Sequence, residues 1–484
     1  MLDERAHNFV RRVRAALPQE AIILEPEQLR TYECDGLTGR RVVPMLVVLP
    51  GSVEQVQAVV RLCNEFSVPF VARGAGTGLS GGALPVAEGI VISLARLDRI
   101  LDVDVERGFV VVEPGVANLD VTRAVASEGF FYAPDPSSQQ VCTIGGNVAE
   151  NSGGAHCLKY GFTVNHVLAA EVVLPDGELV DLSVWDEGPD LLGAFVGSEG
   201  TLGIATKLTL RVLRAPEAVR TLLAGFAHTD QAGGAVSGVI ASGIMPAAIE
   251  MMDEITIEAA EAAVAANYPP ESGAILIVEL DGPAALVEEE AVRVEAICRE
   301  QRAHEIRVAA GAEDRAAVWR GRKAAFAAMG RVSPDYYVQD GVVPRTKLPD
   351  VLRRIDELSA EHGLRVGNVF HAGDGNLHPL VLYDRRVDGE AQGAEELATR
   401  ILEACVEAGG SLTGEHGIGV DKACSMPLMF GEDDLEAMRR LRRAFDPKGL
   451  ANPGKVFPTP RLCGEVPGPY RIHPLEKAGL AERF

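Results

Sequence analysis

No two of the eight cysteines, at positions 34, 63, 142, 157, 298, 405, 424 and 463, are spaced as C-x-x-C. The usual zinc-ribbon and iron–sulfur signatures are therefore excluded within this chain, and a reduced thiol pool is the simplest reading. Positive charge is scarce: 46 Lys and Arg stand against 69 Asp and Glu, a formal net charge of −23. Such a surface repels phosphate backbones and excludes nucleic acid as a partner. Long apolar runs are missing as well. The one uncharged stretch of membrane-spanning length, Gln231 to Ile249, is rich in Gly, Ser and Ala and carries Pro246, so it reads as a buried helix followed by a strand. The opening residues MLDERAHNFVRRVRAAL are charged from the third position and have no apolar core, unlike a secretory signal. There is no internal sequence repeat. The expectation is a soluble, cytoplasmic protein of several structural units, since 47% of its 484 residues are hydrophobic and 24% charged.

Glycine, by contrast, is plentiful, with 51 residues gathered into a few loops. Ser52 with Gln55 is a capping-box signal, and Val53, Val56, Val59, Val60 and Cys63 continue at helical spacing. Apolar runs at 90–94, 109–112 and 167–174 read as strands, with Pro175-Asp176-Gly177 as a hairpin turn. After Pro216 the pattern changes. Strands at 219–226, 274–280, 304–308, 364–370 and 377–382 alternate with helices from about 230 and at 284–300, 348–362 and 395–408. This alternation predicts an α+β sheet domain of ferredoxin-like character with helices on one side.

Four constellations carry chemistry. "RGAGTGLSGG", Arg73 to Gly82, satisfies G-x-G-x-x-G literally, but it runs into Ala83-Leu84-Pro85 and a strand where a dinucleotide loop would open a helix. Its glycines still let backbone N–H groups converge on a phosphate, with Arg73, Thr77 and Ser80 as further donors. Further Gly-rich turns, "APDPSSQQVCTIGGNVAENSGG" from Ala133 and "GSEGTLG" from Gly197, suggest backbone approaching one extended ligand at several points.

The third is "HAGDGNLH". A two-residue Asp374-Gly375 turn would set His371 opposite His378 on one sheet face, close enough for two imidazoles to share a metal ion. Downstream, "TGEHGIG" offers Glu415 and His416. Two His and one Glu form the open three-ligand set of a catalytic divalent metal. Two exposed strand histidines and a polar turn are the plainer alternative. Histidines 7, 228, 304, 362 and 473 read as solvated or core residues, and His156 and His166 stay undecided. The fourth, "WRGRKAAF" from Trp319, is either a solvated basic helix face or a helix directing one Arg inward to a substrate carboxylate.

Together these motifs resemble the flavin-dependent oxidoreductases of the vanillyl-alcohol oxidase / p-cresol methylhydroxylase superfamily. Within it, the likeness is to the branch of glycolate oxidase flavin subunits, D-lactate dehydrogenases and D-2-hydroxyglutarate dehydrogenase, and it spans about Arg41 to Phe457. "RGAGTGLSGG", "DPSS…TIGGNVAENSGG", "GSEGTLGI", "HAGDGNLHP", "GEHGIG" and "FDPKGLANPGKV" follow in the family's order. The resemblance implies an α+β fold: a two-part FAD-binding domain over 41–216 and a ferredoxin-like substrate domain over 217–440 carrying a metal. An N-terminal helical segment over 1–40, a segment returning to the flavin over 441–457 and a surface tail over 458–484 complete it.

It implies FAD cradled by Arg73, Gly74, Ala75, Gly76, Thr77, Gly78, Leu79, Ser80, Gly81 and Gly82. Pro134, Thr143, Gly145, Gly146, Asn147, Gly153, Gly154, Glu199, Gly200, Ile204 and Asn452 would line the rest of the cofactor. A divalent metal (Zn, Mn or Fe) would sit on His371, His378 and Glu415, with His416 as general base and Arg322 on the substrate carboxylate. The glycine loop holds no His, so FAD is expected to be non-covalent. The implied activity is oxidation of a small 2-hydroxy acid of the glycolate or D-lactate type to the 2-oxo acid. In it the metal assists deprotonation of the hydroxyl and hydride passes to the flavin. A D-2-hydroxyglutarate-type dehydrogenase is the near alternative; a metal-dependent hydrolase or a non-catalytic flavoprotein subunit is more distant. Electrons would leave to an iron–sulfur or other acceptor subunit, through which any membrane association would be peripheral.

Overall fold

The computed structural model describes residues 4–459, so the expected tail lies, from Pro460 onward, outside the described residues. The chain forms two compact units. The first comprises residues up to Ser152, Phe162–Arg214 and those from Glu415; the second comprises Gly153–Gly161 and Ala215–Gly414.

The first unit opens with strands β1 (Ile22–Ile23), β2 (Leu46–Val48), β3 (Phe70–Arg73) and β4 (Ile90–Ser93), in the order β1-β2-β4-β3. β2, β4 and β3 run parallel and are almost wholly buried, as their unbroken Val, Ile and Leu runs require. Ser52 caps the Val53–Phe66 helix by accepting the Gln55 N–H, while Gln55 reaches back to the N–H of Gly51 at 2.7 Å. The Glu4–Ala16 helix packs Phe9, Val10 and Val13 into the same core, and β1 joins the sheet. Residues 4–40 therefore belong to this unit and are not a separate segment.

Seven strands follow: β5 (Ile100–Asp104), β6 (Phe109–Val112), β7 (Phe130–Phe131), β8 (Val167–Val173), β9 (Leu179–Ser183), β10 (Ile204–Arg211) and β11 (Leu213–Arg214). β7 pairs with β11. The others form an antiparallel sheet in the order β5-β6-β10-β8-β9, with the expected β8–β9 hairpin turning at Gly177, φ +89°.

The second unit contains β12 (Ala218–Phe226), β13 (Ala248–Asp253), β14 (Ala274–Gly282), β15 (Glu305–Val308), β16 (Asp335–Val338), β17 (Gly341–Val342), β18 (Val366–His371), β19 (Asn376–Leu377) and β20 (Pro379–Tyr383). The order β15-β12-β14-β13 is ferredoxin-like. β16 to β20, with a bridge from Val342 to Ser411, repeat that topology and join the first half through β13 and β18. The repeat is one of topology, which is why the sequence does not show it.

Helices cover both faces of this sheet, not one. Thr229–Ala241, Ala284–Glu300, Leu348–His362 and Glu390–Glu407 pack on one side, and Glu254–Val264 with Ala312–Ala328 on the other. β13 and β18 are consequently buried at every residue. The expected span from Gln231 to Ile249 is the Thr229–Ala241 helix followed by β13, and no described helix is long and apolar enough to cross a membrane.

Two expected boundaries shift. Gly153–Gly161 belongs to the second unit because Lys159 donates to the Asp281 carbonyl at 2.6 Å, Tyr160 to its carboxylate at 2.6 Å, and His156 meets Glu279 at 3.1 Å. The second unit ends at Gly414, not near 440. The N–H groups of Ile418 and Gly419 bind Glu199, and those of Val420 and Asp421 bind the Ser80 carbonyl, which ties the following stretch to the first unit.

Candidate active site

In the first unit, none of the N–H groups of Gly74 through Gly82 donates to another protein group among the described residues. Orphaned donors in succession are what a bound phosphate would satisfy. The Ser80 and Thr143 hydroxyls are buried beside them without a partner. Arg73 is spent differently: its guanidinium is buried, donates to the Cys34 carbonyl at 2.8 Å and lies over the Tyr32 ring. It holds the loop in shape.

Gly145 and Gly146 form the first turn of the Ile144–Glu150 helix. Asn147 is committed internally, accepting from Asn118 at 3.0 Å and donating to Ser152, and the Pro134 carbonyl accepts from the same Asn118. Glu199, at φ +53°, binds Ile418 and Gly419; Gly200 follows it, and Ile204 is buried at the start of β10. Asn452 donates to the Gly82 and Glu199 carbonyls at 2.8 and 2.6 Å, so the returning segment does close on the glycine loop. Gly153 and Gly154 fall in the second unit.

The second unit brings together Glu250, Arg322, Asp340, His371 and His378, each no more than 4% exposed. Buried ionisable groups need partners, and these have them. Glu250 on β13 stands directly opposite His371 on β18. Its Oε1 lies 2.7 Å from His371 Nδ1, which must carry the proton because a carboxylate has none to give. Its Oε2 accepts from Arg322 Nε at 2.7 Å. Arg322 Nη2 is ion-paired with the same oxygen at 2.6 Å.

The expected hairpin register is corrected. His371 pairs with Asn376, across a turn of four residues from Ala372 to Gly375, and not with His378. The displacement is two residues, and because side chains alternate with period two, His378 stays on the same face as a diagonal neighbour. The rings stand 5.1 Å apart and perpendicular, with ligand nitrogens within 4.8 Å. Continuing the β17–β19 register by one step sets Asp340 opposite His378, with Oδ1 3.8 Å from Nδ1. The other Asp340 oxygen accepts the Gly414 N–H at 3.0 Å. Glu415 is the next residue, and its carboxylate lies 3.9 Å from His416 Nε2.

The chain matches two family models: FAD binding domain over residues 44–183, and FAD linked oxidases, C-terminal domain, over 215–456. It is 49% identical over 464 residues to the glycolate oxidase subunit GlcD of Escherichia coli (strain K12), covering 95% of this chain and 93% of that one. The chain belongs to the FAD-linked oxidase family. It is also 34% identical over 433 residues to a D-lactate dehydrogenase of Anaerostipes hadrus, covering 85% of this chain and 89% of that one. Among solved structures, p-cresol methylhydroxylase with substrate bound superposes with a TM-score of 0.80 over 94% of this chain and 97% of that one. At 18% identity this likeness shows the fold alone.

For an FAD-linked oxidase, the orphaned Gly74–Gly82 donors with Ser80 and Thr143 fit a dinucleotide's diphosphate. Sequence reasoning missed Glu250 and Asp340, the two acids that hold the histidine cluster. For Glu250 the signal was an acid inside the apolar run "AAIEMM". His156 is now accounted for on Glu279, and His166 is buried against the edge of the Tyr132 ring.

Proposed function

We propose that this FAD-linked oxidase oxidises a small 2-hydroxy acid, of the glycolate or D-lactate type, to its 2-oxo acid. The observation that carries the reading is the Arg322–Glu250–His371 chain beside His378 and Asp340. Arg322, ion-paired with Glu250 at 2.6 Å, is the guanidinium suited to a substrate carboxylate. Glu250 holds that guanidinium and the His371 ring in place together.

His371, His378 and Glu415, one peptide bond beyond Gly414, are the ligands for a divalent cation. The donor chemistry supports this: two buried carboxylates against one guanidinium leave the cluster a positive charge short when both imidazoles are neutral. The cation would supply Lewis acidity at the substrate hydroxyl. His416 accepts the hydroxyl proton, a role matched to an imidazole near neutral pH. FAD, held non-covalently, supplies the two-electron acceptor.

An iron–sulfur or other electron-acceptor subunit is a partner in keeping with the subunit status of the GlcD relative, and a quinone, a cytochrome or oxygen would serve the same chemistry. Six cysteines are free thiols, whereas Cys424 is disulfide-bonded.

The test is anaerobic reduction of the bound flavin by a panel of glycolate, D-lactate and D-2-hydroxyglutarate, with and without chelator. Bleaching by one of them, suppressed by chelation, is the expected result. A flavin that no 2-hydroxy acid bleaches removes the proposal.

A further inference from the structure

Glu150 ends the Ile144–Glu150 helix, and its carboxylate lies between two glycines of the first unit. A Cβ added to Gly82 would overlap Oε1, and one added to Gly417 would overlap Oε2. Oε2 is buried and has no hydrogen-bond partner. The charged groups around it are Glu199, Asp35, Lys422 and Lys455. Donors are shared unevenly among the three acids. Asp35 accepts the N–H groups of Leu37 and Ala83 at 3.0 and 3.2 Å, and Glu199 those of Ile418 and Gly419 at 2.7 and 2.6 Å. The cations spend hydrogen bonds elsewhere: Lys455 on the Leu84 carbonyl and the Asn452 amide oxygen, Lys422 on the Gly417 carbonyl.

A carboxylate stripped of water and given no N–H at Oε2, beside two others that have theirs, is the member that takes up a proton. Burial first, then the charges of Glu199 and Asp35, push its pKa well above the carboxylate range. A protonated carboxyl is a hydrogen-bond donor, and this one adjoins the orphaned Gly74–Gly82 donors through Gly82.

We propose that Glu150 is a cofactor-positioning acid, which in its protonated form donates to an oxygen of bound FAD beside the glycine loop. It is a residue for holding the cofactor, and the inference rests on FAD binding alone, not on the metal or the substrate. Ionised, the same group would set a further negative charge against the diphosphate. The sign follows: the proton is held at low pH, so FAD affinity falls as pH rises through the raised Glu150 pKa.

The experiment uses the holoenzyme, wild type and Glu150→Gln, and measures FAD released on ultrafiltration from about pH 6 to about pH 9. Wild type is expected to lose affinity by about tenfold per pH unit above that pKa, whereas the always-neutral Gln variant gives a flat profile. The infrared spectrum supplies a second readout. The difference between wild type and Glu150→Gln is expected to show one C=O stretch of a protonated carboxylic acid, the wild-type band, beyond any from Asp253, Glu199 and Asp35 common to both. If the variant does not fold, the wild-type band decides, because it must vanish over the pH interval in which FAD is lost. A Gln profile as steep as wild type, a flat wild-type profile or a missing band overturns the inference. A protein isolated without any flavin would instead overturn FAD binding itself.

Discussion

Glu250 and His371 face each other across β13 and β18 with 2.7 Å between Oε1 and Nδ1, while the second Glu250 oxygen holds Arg322. One carboxylate thus fixes the orientation of both an imidazole and a guanidinium. Glu250→Gln keeps the shape but removes the charge that both partners need. Breaking a buried pair from one side costs about 3–5 kcal/mol, and loss of an orienting partner weakens metal affinity or turnover by about 10–100-fold. Chemical denaturation and turnover under substrate saturation check both figures.

His371→Ala and His378→Ala are expected to abolish bound divalent metal and lower turnover by about 100-fold or more, with the flavin absorbance intact. Elemental analysis beside a visible spectrum separates the two cofactors. A His371→Ala protein still active in chelator-treated buffer would mean the imidazoles serve only the sheet.

Arg322→Lys retains charge but not the two-pronged geometry. Losing a charge-assisted hydrogen bond worth about 1.5–3 kcal/mol should raise KM for the hydroxy acid by about 10–100-fold. Steady-state kinetics should show a much smaller change in kcat, and an unchanged KM would take the carboxylate away from Arg322.

Gly76 sits at φ +72°, where a Cβ would overlap the Arg73 guanidinium and lever it from the Cys34 carbonyl. Gly76→Ala should therefore be isolated largely without FAD, as the ratio of flavin to protein absorbance will show. Gly129→Ala is the control. Its φ is +75° but nothing lies within 4 Å of the added methyl, so it meets the backbone strain of about 1–2 kcal/mol without disturbing the cradle.

Acid stability should depend on Glu279, which accepts hydrogen bonds from Arg315, Trp319 and Thr221 and meets His156 at 3.1 Å. Burial raises its carboxyl, but hydrogen bonds from His156 and Arg315, with their charges, outweigh this and hold it well below the usual 4.5. A depressed carboxyl stabilises the fold above the unfolded-state pKa, and that stability is lost as pH falls through it. Thermal melts below about pH 5 should fall more steeply for wild type than for Glu279→Gln.

Local chemistry in the chain carried a large part of the architecture. The Ser52 cap, the Gly177 turn and the Thr229–Ala241 helix followed by β13 were legible because each depends on neighbours a few residues away. So were the glycine loop and both histidines, whose residue types are rarely gathered without a ligand. The hairpin register was less secure. Asp374-Gly375 satisfies a two-residue turn as readily as it fits inside a four-residue one, and β17, which pairs with β19, helps fix the alternative. A slip of two residues leaves the face unchanged, so His371 and His378 met although their pairing did not.

By itself, the amino-acid sequence marked the Ser52-capped helix, the Thr229–Ala241 helix followed by β13, the Gly177 turn, and the glycine and histidine clusters. Only tertiary structure decided that Glu250 and Asp340 would hold those histidines, that Gly153–Gly161 would leave the cofactor unit, and that Asn452 would close on Gly82. The physical reason is distance along the chain. Helical periodicity, caps and turns act over a handful of residues. The partner of a buried charge is set by strand order and by which faces become dry, and Glu250 finds His371 from 121 residues away.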